Sequence, residues 1–94
     1  MTLLTNTITV RGVTYEVREI NGRIMREVRK RLKDSPETVE AFVAWACTVE
    51  PKFASESVAG DESHAVLKQL SEEAFRLSAA PKPEPPEEEG AKNA

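Results

Sequence analysis

Ninety-four residues with a formal net charge of −3 make one small domain. The single cysteine excludes an internal disulfide framework and a multi-cysteine metal site. No apolar run approaches the roughly twenty residues that span a bilayer, and residues 1–8 have neither a basic n-region nor an apolar h-region, so no secretory signal is expected and the chain reads as cytoplasmic.

Segment 7–17, TITVRGVTYEV, alternates apolar and polar residues with the period of a half-buried strand. If Arg11 and Gly12 form the loop, Val10 pairs with Val13, Ile8 with Tyr15 and Asn6 with Val17. The other face then carries Thr9 with Thr14, Thr7 with Glu16 and Thr5 with Arg18, all polar. A slip of one residue would scramble both faces, so the pattern fixes the register, and Gly12 supplies the positive φ of a tight turn. A lone hairpin is marginal in water, so the apolar face must pack on helices or on another chain.

Ile20, Ile24, Val28 and Leu32 recur every four residues and mark an amphipathic helix over about 21–33. Arg23, Arg26, Arg29, Lys30 and Lys33 take the opposite face. Arg31 falls inside the apolar arc, where its stem can lie on the core while Glu27 pairs with its head. Ser35-Pro36-Glu37 has the chemistry of a helix start, with a capping serine, proline at the first position and an acid in the first turn. That helix runs to about Thr48 on an arc of Val39, Phe42, Val43, Ala46 and Cys47, with Trp45 at the margin, and Pro51 ends it. Residues 51–60 form a connector with one helical turn near Ser55-Glu56-Ser57. Asp61 caps a last helix whose stripe is Val66, Leu70, Ala74 and Leu77, with Leu67 beside them; Phe75 points away.

The expected fold is therefore α+β, mainly α: a β-hairpin over about 5–18 and a small bundle of three main helices, together a head over residues 1–78. Residues 79–94 hold four of the six prolines and the Glu87-Glu88-Glu89 run. With nothing larger than Ala to bury, they are expected to form a disordered, acidic, Pro-rich tail. Residues 11–33 hold eight of the thirteen basic side chains, so the molecule has a basic and an acidic end.

Nothing in the sequence assembles an active site, and neither enzymatic activity nor a cofactor or metal is expected. His64 is the lone histidine, in the first turn of the last helix and facing solvent. Cys47 sits among apolar neighbours and reads as a buried small side chain. The carboxylates follow surface or tail patterns. Arg23, Arg26, Lys30 and Lys33 could track a phosphate backbone, but the helix that follows offers Glu37, Glu40, Trp45 and Thr48, the wrong chemistry for reading bases. Nucleic acid is therefore not the expected partner, and an acidic protein suits Arg23, Arg26 and Lys30 better. Trp45, Phe53 and Phe75 lie outside the cleanest buried stripes and mark a partner or homo-oligomer surface.

The strand Val10-Arg11-Gly12-Val13-Thr14-Tyr15-Glu16-Val17-Arg18-Glu19-Ile20 leads into a helix. A second helix ends in Thr48-Val49-Glu50-Pro51-Lys52, a last one closes with Ala74-Phe75-Arg76-Leu77-Ser78, and a charged tail finishes with Gly90-Ala91-Lys92-Asn93. This layout, across most of the chain, resembles the tail assembly chaperones of long-tailed (siphovirus-type) bacteriophages. The resemblance implies a helper in the host cytoplasm, absent from the mature virion. It would bind the tape measure protein, keep it soluble and help recruit tail tube protein. Heads would self-associate through hairpin and aromatic surfaces and present grooves to amphipathic tape measure helices. Many members also have a longer form made by ribosomal frameshifting. Ala91, Lys92 and Asn93 are what GCA-AAA-AAC would encode, which contains a slippery heptamer. The competing readings are a small DNA-binding regulator, antitoxin- or repressor-like, acting through helix 21–33, and a structural head-tail component.

Overall fold

The two-residue period of the N-terminal segment sets the sheet. In the computed structural model, which describes residues 3–79, β1 (Thr5–Val10) and β2 (Val13–Arg18) pair antiparallel. The register is the expected one, from Val10 opposite Val13 to Thr5 opposite Arg18. Arg11 and Gly12 make the turn at φ of 53° and 82°, the pair of positive values that a type I′ loop requires. Val10, Tyr15 and Val17 are buried, and on the polar face the Thr9 and Thr14 hydroxyls lie 3.0 Å apart. Val13, on the apolar side but beside the turn, stays 43% exposed.

A third strand, β3 (Thr48–Glu50), joins the other side of β2 in the order β1-β2-β3. The sequence reading has no strand there. Thr48 and Val49 are β-branched and favour extended backbone, but three residues are too few to display a period, and their pairing with Glu16 and Val17 is long-range.

Helix α1 (Gly22–Asp34) is capped by Asn21, whose Oδ1 accepts from the Ile24 amide at 2.8 Å. Ile24 and Val28 are buried, but Leu32 is 56% exposed, which corrects its place in the apolar stripe. A strict four-residue spacing drifts by about 40° per step around a helix of 3.6 residues per turn, so the row rotates out of the core. Arg31 faces inward instead. The expected cap at Ser35 is also revised: its side chain makes no cap bond, and a 3-10 turn (Pro36–Thr38) precedes α2 (Val39–Cys47).

In the connector, Ser55 caps the short helix α3 (Glu56–Gly60), its Oγ accepting from the Val58 amide at 3.2 Å. Asp61 closes α3 rather than opening α4 (His64–Ala79). Ser63 takes the starting role, its Oγ accepting from the Ala65 amide and its carbonyl from the Leu67 amide. The stripe of Val66, Leu67, Leu70, Ala74 and Leu77 is buried as expected. Ala79, assigned to the tail on sequence, is the last residue of α4; the rest of that segment, with Ala91, Lys92 and Asn93, lies outside the described residues.

The core gathers Val17, Val28, Val43 and Leu70 between the sheet, α1, α2 and α4. The end of α4 is tied to the link between β2 and α1, because the Ile20 amide donates to Ser78 Oγ at 2.8 Å. One carboxylate departs from the surface pattern. Glu19 is 5% exposed, and its Oε2 accepts from the Leu4 amide at 3.3 Å, extending the hairpin by a side-chain bond. The fold is α+β and mainly α. Among the described residues no helix is long and apolar enough to cross a membrane.

Candidate functional site

Arg31 organises the ground under the site. Its Nε donates to Glu27 at 2.8 Å and its two terminal nitrogens hold the Glu56 carboxylate, so α1 grips α3. Nη1 also reaches Thr38 Oγ1 at 3.3 Å. The hydrogen bond from Arg31 holds the Glu27 carboxyl below its ordinary pKa, and the bonds to Glu56 and Glu27 raise that of Arg31 further. The guanidinium lies over the Phe42 ring, and Phe42 in turn meets Trp45 in a tilted pair with centroids 6.1 Å apart.

On this aromatic base sits a groove of about 430 Å³ where the end of β2, the start of α1, the last turns of α2 and the loop after β3 converge. Ile24, Phe42, Trp45 and Ala46 supply apolar surface; Arg18, Arg23 and Lys52 supply three cations, with Asn21 between them. The one acid, Glu27, is already paired with Arg31. Arg18 donates from Nη2 to the Ala46 carbonyl at 3.4 Å, while its buried Nε has no hydrogen-bond partner among the described residues. An apolar floor with a cationic rim suits a segment that presents apolar side chains flanked by carboxylates.

A larger open cleft, about 650 Å³, is lined by Glu37, Glu40, Glu56 and Glu62 together with His64. His64 Nε2 is 3.1 Å from Glu40, and its side chain is 77% exposed, in keeping with a solvent-facing residue. Cys47 is buried; burial pushes its thiol up to about 11, against a smaller opposing pull from Arg18. A thiol held neutral in this way is a poor nucleophile.

Of the residues singled out on sequence, Arg23 and Trp45 meet in the groove. Lys30 lines a neighbouring shallow cleft with Glu56, and Arg26 is exposed on α1 outside both. Phe53 is half-buried, stacked on Tyr15 with centroids 6.4 Å apart. Phe75 is 37% exposed on α4. Among the described residues no ring contact joins Trp45, Phe53 and Phe75. Arg18, Asn21 and Lys52 were not legible as site residues. Arg18 reads as one more polar position of a strand, and Lys52 reaches the groove only because β3 carries the chain back along β2.

Compared with known families, curated proteins and solved structures, the chain shows no match to any of them.

Proposed function

We propose that this chain is a non-enzymatic protein-binding module, a chaperone for bacteriophage tail assembly that binds the tape measure protein, keeps it soluble and helps recruit tail tube subunits in the host cytoplasm. The groove is the observation that supports this reading. An amphipathic helix could seat its apolar ridge on Ile24, Phe42 and Trp45, with its flanking carboxylates meeting Arg18, Arg23 and Lys52. The rim charges would orient the helix and speed capture more than they add affinity. A longer frameshift product, arising at the codons for Ala91 to Asn93, belongs to the same reading.

Co-expression with the tape measure protein of the same phage is the test. The tape measure protein is expected to remain soluble and to co-purify with this chain. A tape measure protein that is equally soluble alone, or that never co-purifies, would overturn the reading.

One observation favours a second reading, a small DNA-binding regulator: Arg23, Arg26, Arg29, Lys30 and Lys33 are all exposed along α1. Helix α2 is ill suited to be the recognition helix of a pair, because its one charged side chain is Glu40 and it carries no basic residue to contact bases or phosphates. A gel shift at two salt concentrations separates the readings, since phosphate binding by this row would weaken steeply with salt.

A further inference from the structure

The outer side of β1 has no neighbour among the described residues: the sheet ends there. In a two-residue hairpin the residues flanking the turn form a hydrogen-bonded pair, and bonded and non-bonded pairs then alternate. Val10, Ile8 and Asn6 therefore spend their backbone groups on β2, and the Leu4 carbonyl continues the series by accepting from the Glu19 amide at 2.8 Å. Thr5, Thr7 and Thr9 consequently point their amides and carbonyls away from β2, and all three are exposed.

Natural sheets blunt such an edge with lysine, proline, a bulge or a charge. Strand β1 reads Thr-Asn-Thr-Ile-Thr-Val and carries none of these, and its pairing with β2 is regular throughout. The opposite edge, β3, is only three residues long and follows a register shift. The sheet thus has one blunted edge and one open edge.

We propose that the open edge is a self-association surface, and that two copies of this chain join β1 to β1 antiparallel about a two-fold axis through Thr7. This register sets Thr5 opposite the partner's Thr9 and Thr7 opposite the partner's Thr7. Each outward-facing pair exchanges two bonds, about six in all; a shift of the axis to Ile8 leaves only two such pairs inside the strands. The strand itself carries no charge, so no like charges oppose each other between the two β1 strands; beside the strand, Glu73 of α4 accepts from Asn6 and pairs with Arg76. The threonines face one another across the seam on the polar face, where β-branched cross-strand pairs add to the pairing. On the other face half-buried Ile8, beside the α4 residues Gln69 and Arg76, meets the partner's Asn6. The product is a continuous six-stranded sheet with α4 of both copies on one side. It involves neither Arg23 nor Trp45, so it stands or falls apart from what the groove binds.

Sedimentation of the full chain, with the Thr7→Pro and Thr7→Lys variants, tests this. A single strand pairing is a small interface, so the native chain should be a dimer at about 100 μM and dissociate on dilution. Thr7→Pro removes an amide that faces away from β2, a position where a strand tolerates proline, and should give a monomer with unchanged circular dichroism. Thr7→Lys keeps the amide, sets two like charges across the seam, and should also give a monomer; if the proline variant unfolds, the lysine variant decides. A native chain that is monomeric at this concentration, or a folded Thr7→Pro or Thr7→Lys variant that dimerises as well as the native chain, overturns the proposal.

Discussion

The guanidinium carbon of Arg31 lies 4.3 Å from the centre of the Phe42 ring, and the same group ties Glu27, Thr38 and Glu56 together. One side chain thus joins α1 to α3 while supporting the aromatic pair beneath the groove. Arg31→Lys keeps the charge but loses the planar fork and the stacking. We expect a loss of about 1–2 kcal/mol, after allowance for solvent screening of the partly exposed carboxylates. Urea denaturation measures it. A change below about 0.5 kcal/mol would show that the network adds nothing beyond ordinary surface pairing.

Leu32 and Leu70 make a contrast that composition alone cannot. Leu32 is 56% exposed and Leu70 fully buried. Leu32→Gln should shift stability by less than about 0.5 kcal/mol, whereas Leu70→Ala should cost about 2–5 kcal/mol through the cavity it leaves. Thermal melts of the two variants check this, and comparable losses would contradict the packing described for α1 and α4.

The buried Cys47 thiol gives stability a dependence on alkaline pH. Its pKa is pushed up to about 11 from an ordinary 9.0, so the unfolded chain loses this proton first. The contribution is complete below pH 9 and is lost as pH rises through 11, at most roughly 3 kcal/mol. Denaturation of the native chain and of Cys47→Ala across pH 8–11 should show a steeper fall in the native chain, because Tyr15, whose pKa burial also raises, keeps a shallower slope in the variant. Parallel slopes would remove Cys47 as the source.

Arg11 holds a φ of 53°, a left-handed value that costs a residue with a Cβ about 1–2 kcal/mol. Asn tolerates that region better and is favoured at this place in a type I′ turn. Arg11→Asn should therefore stabilise the fold by about 0.5–1 kcal/mol. An unchanged or lower denaturation midpoint would contradict the turn assignment.

The hairpin was fully legible in the sequence because alternation and the Arg11-Gly12 turn specify the same register. The inward face of α4 was legible because its apolar spacing keeps pace with the helical turn, and so was that of α2 except that Ala44 rather than Ala46 is fully buried. Leu32 was misplaced because a row at every fourth residue drifts, and the structure gives that arc to Arg31. Strand β3 was hidden, since only its partner β2 makes Thr48–Glu50 a strand. The groove was half visible. Arg23 and Trp45 announced themselves by chemistry, while Arg18 and Lys52 become neighbours of Trp45 only through the pairing of β3 with β2.

The most direct measurement of the groove's role is a titration of Trp45 fluorescence with helical segments of the tape measure protein, for the native chain and for a variant with Arg18, Arg23 and Lys52 all changed to Glu. Trp45 is the only tryptophan, so its signal reports the groove floor. The expected result is saturable binding by an acidic amphipathic segment, weakened by salt and at least about tenfold weaker in the variant. Native and variant chains that bind equally tightly, with no response from Trp45, would contradict the groove as the binding surface.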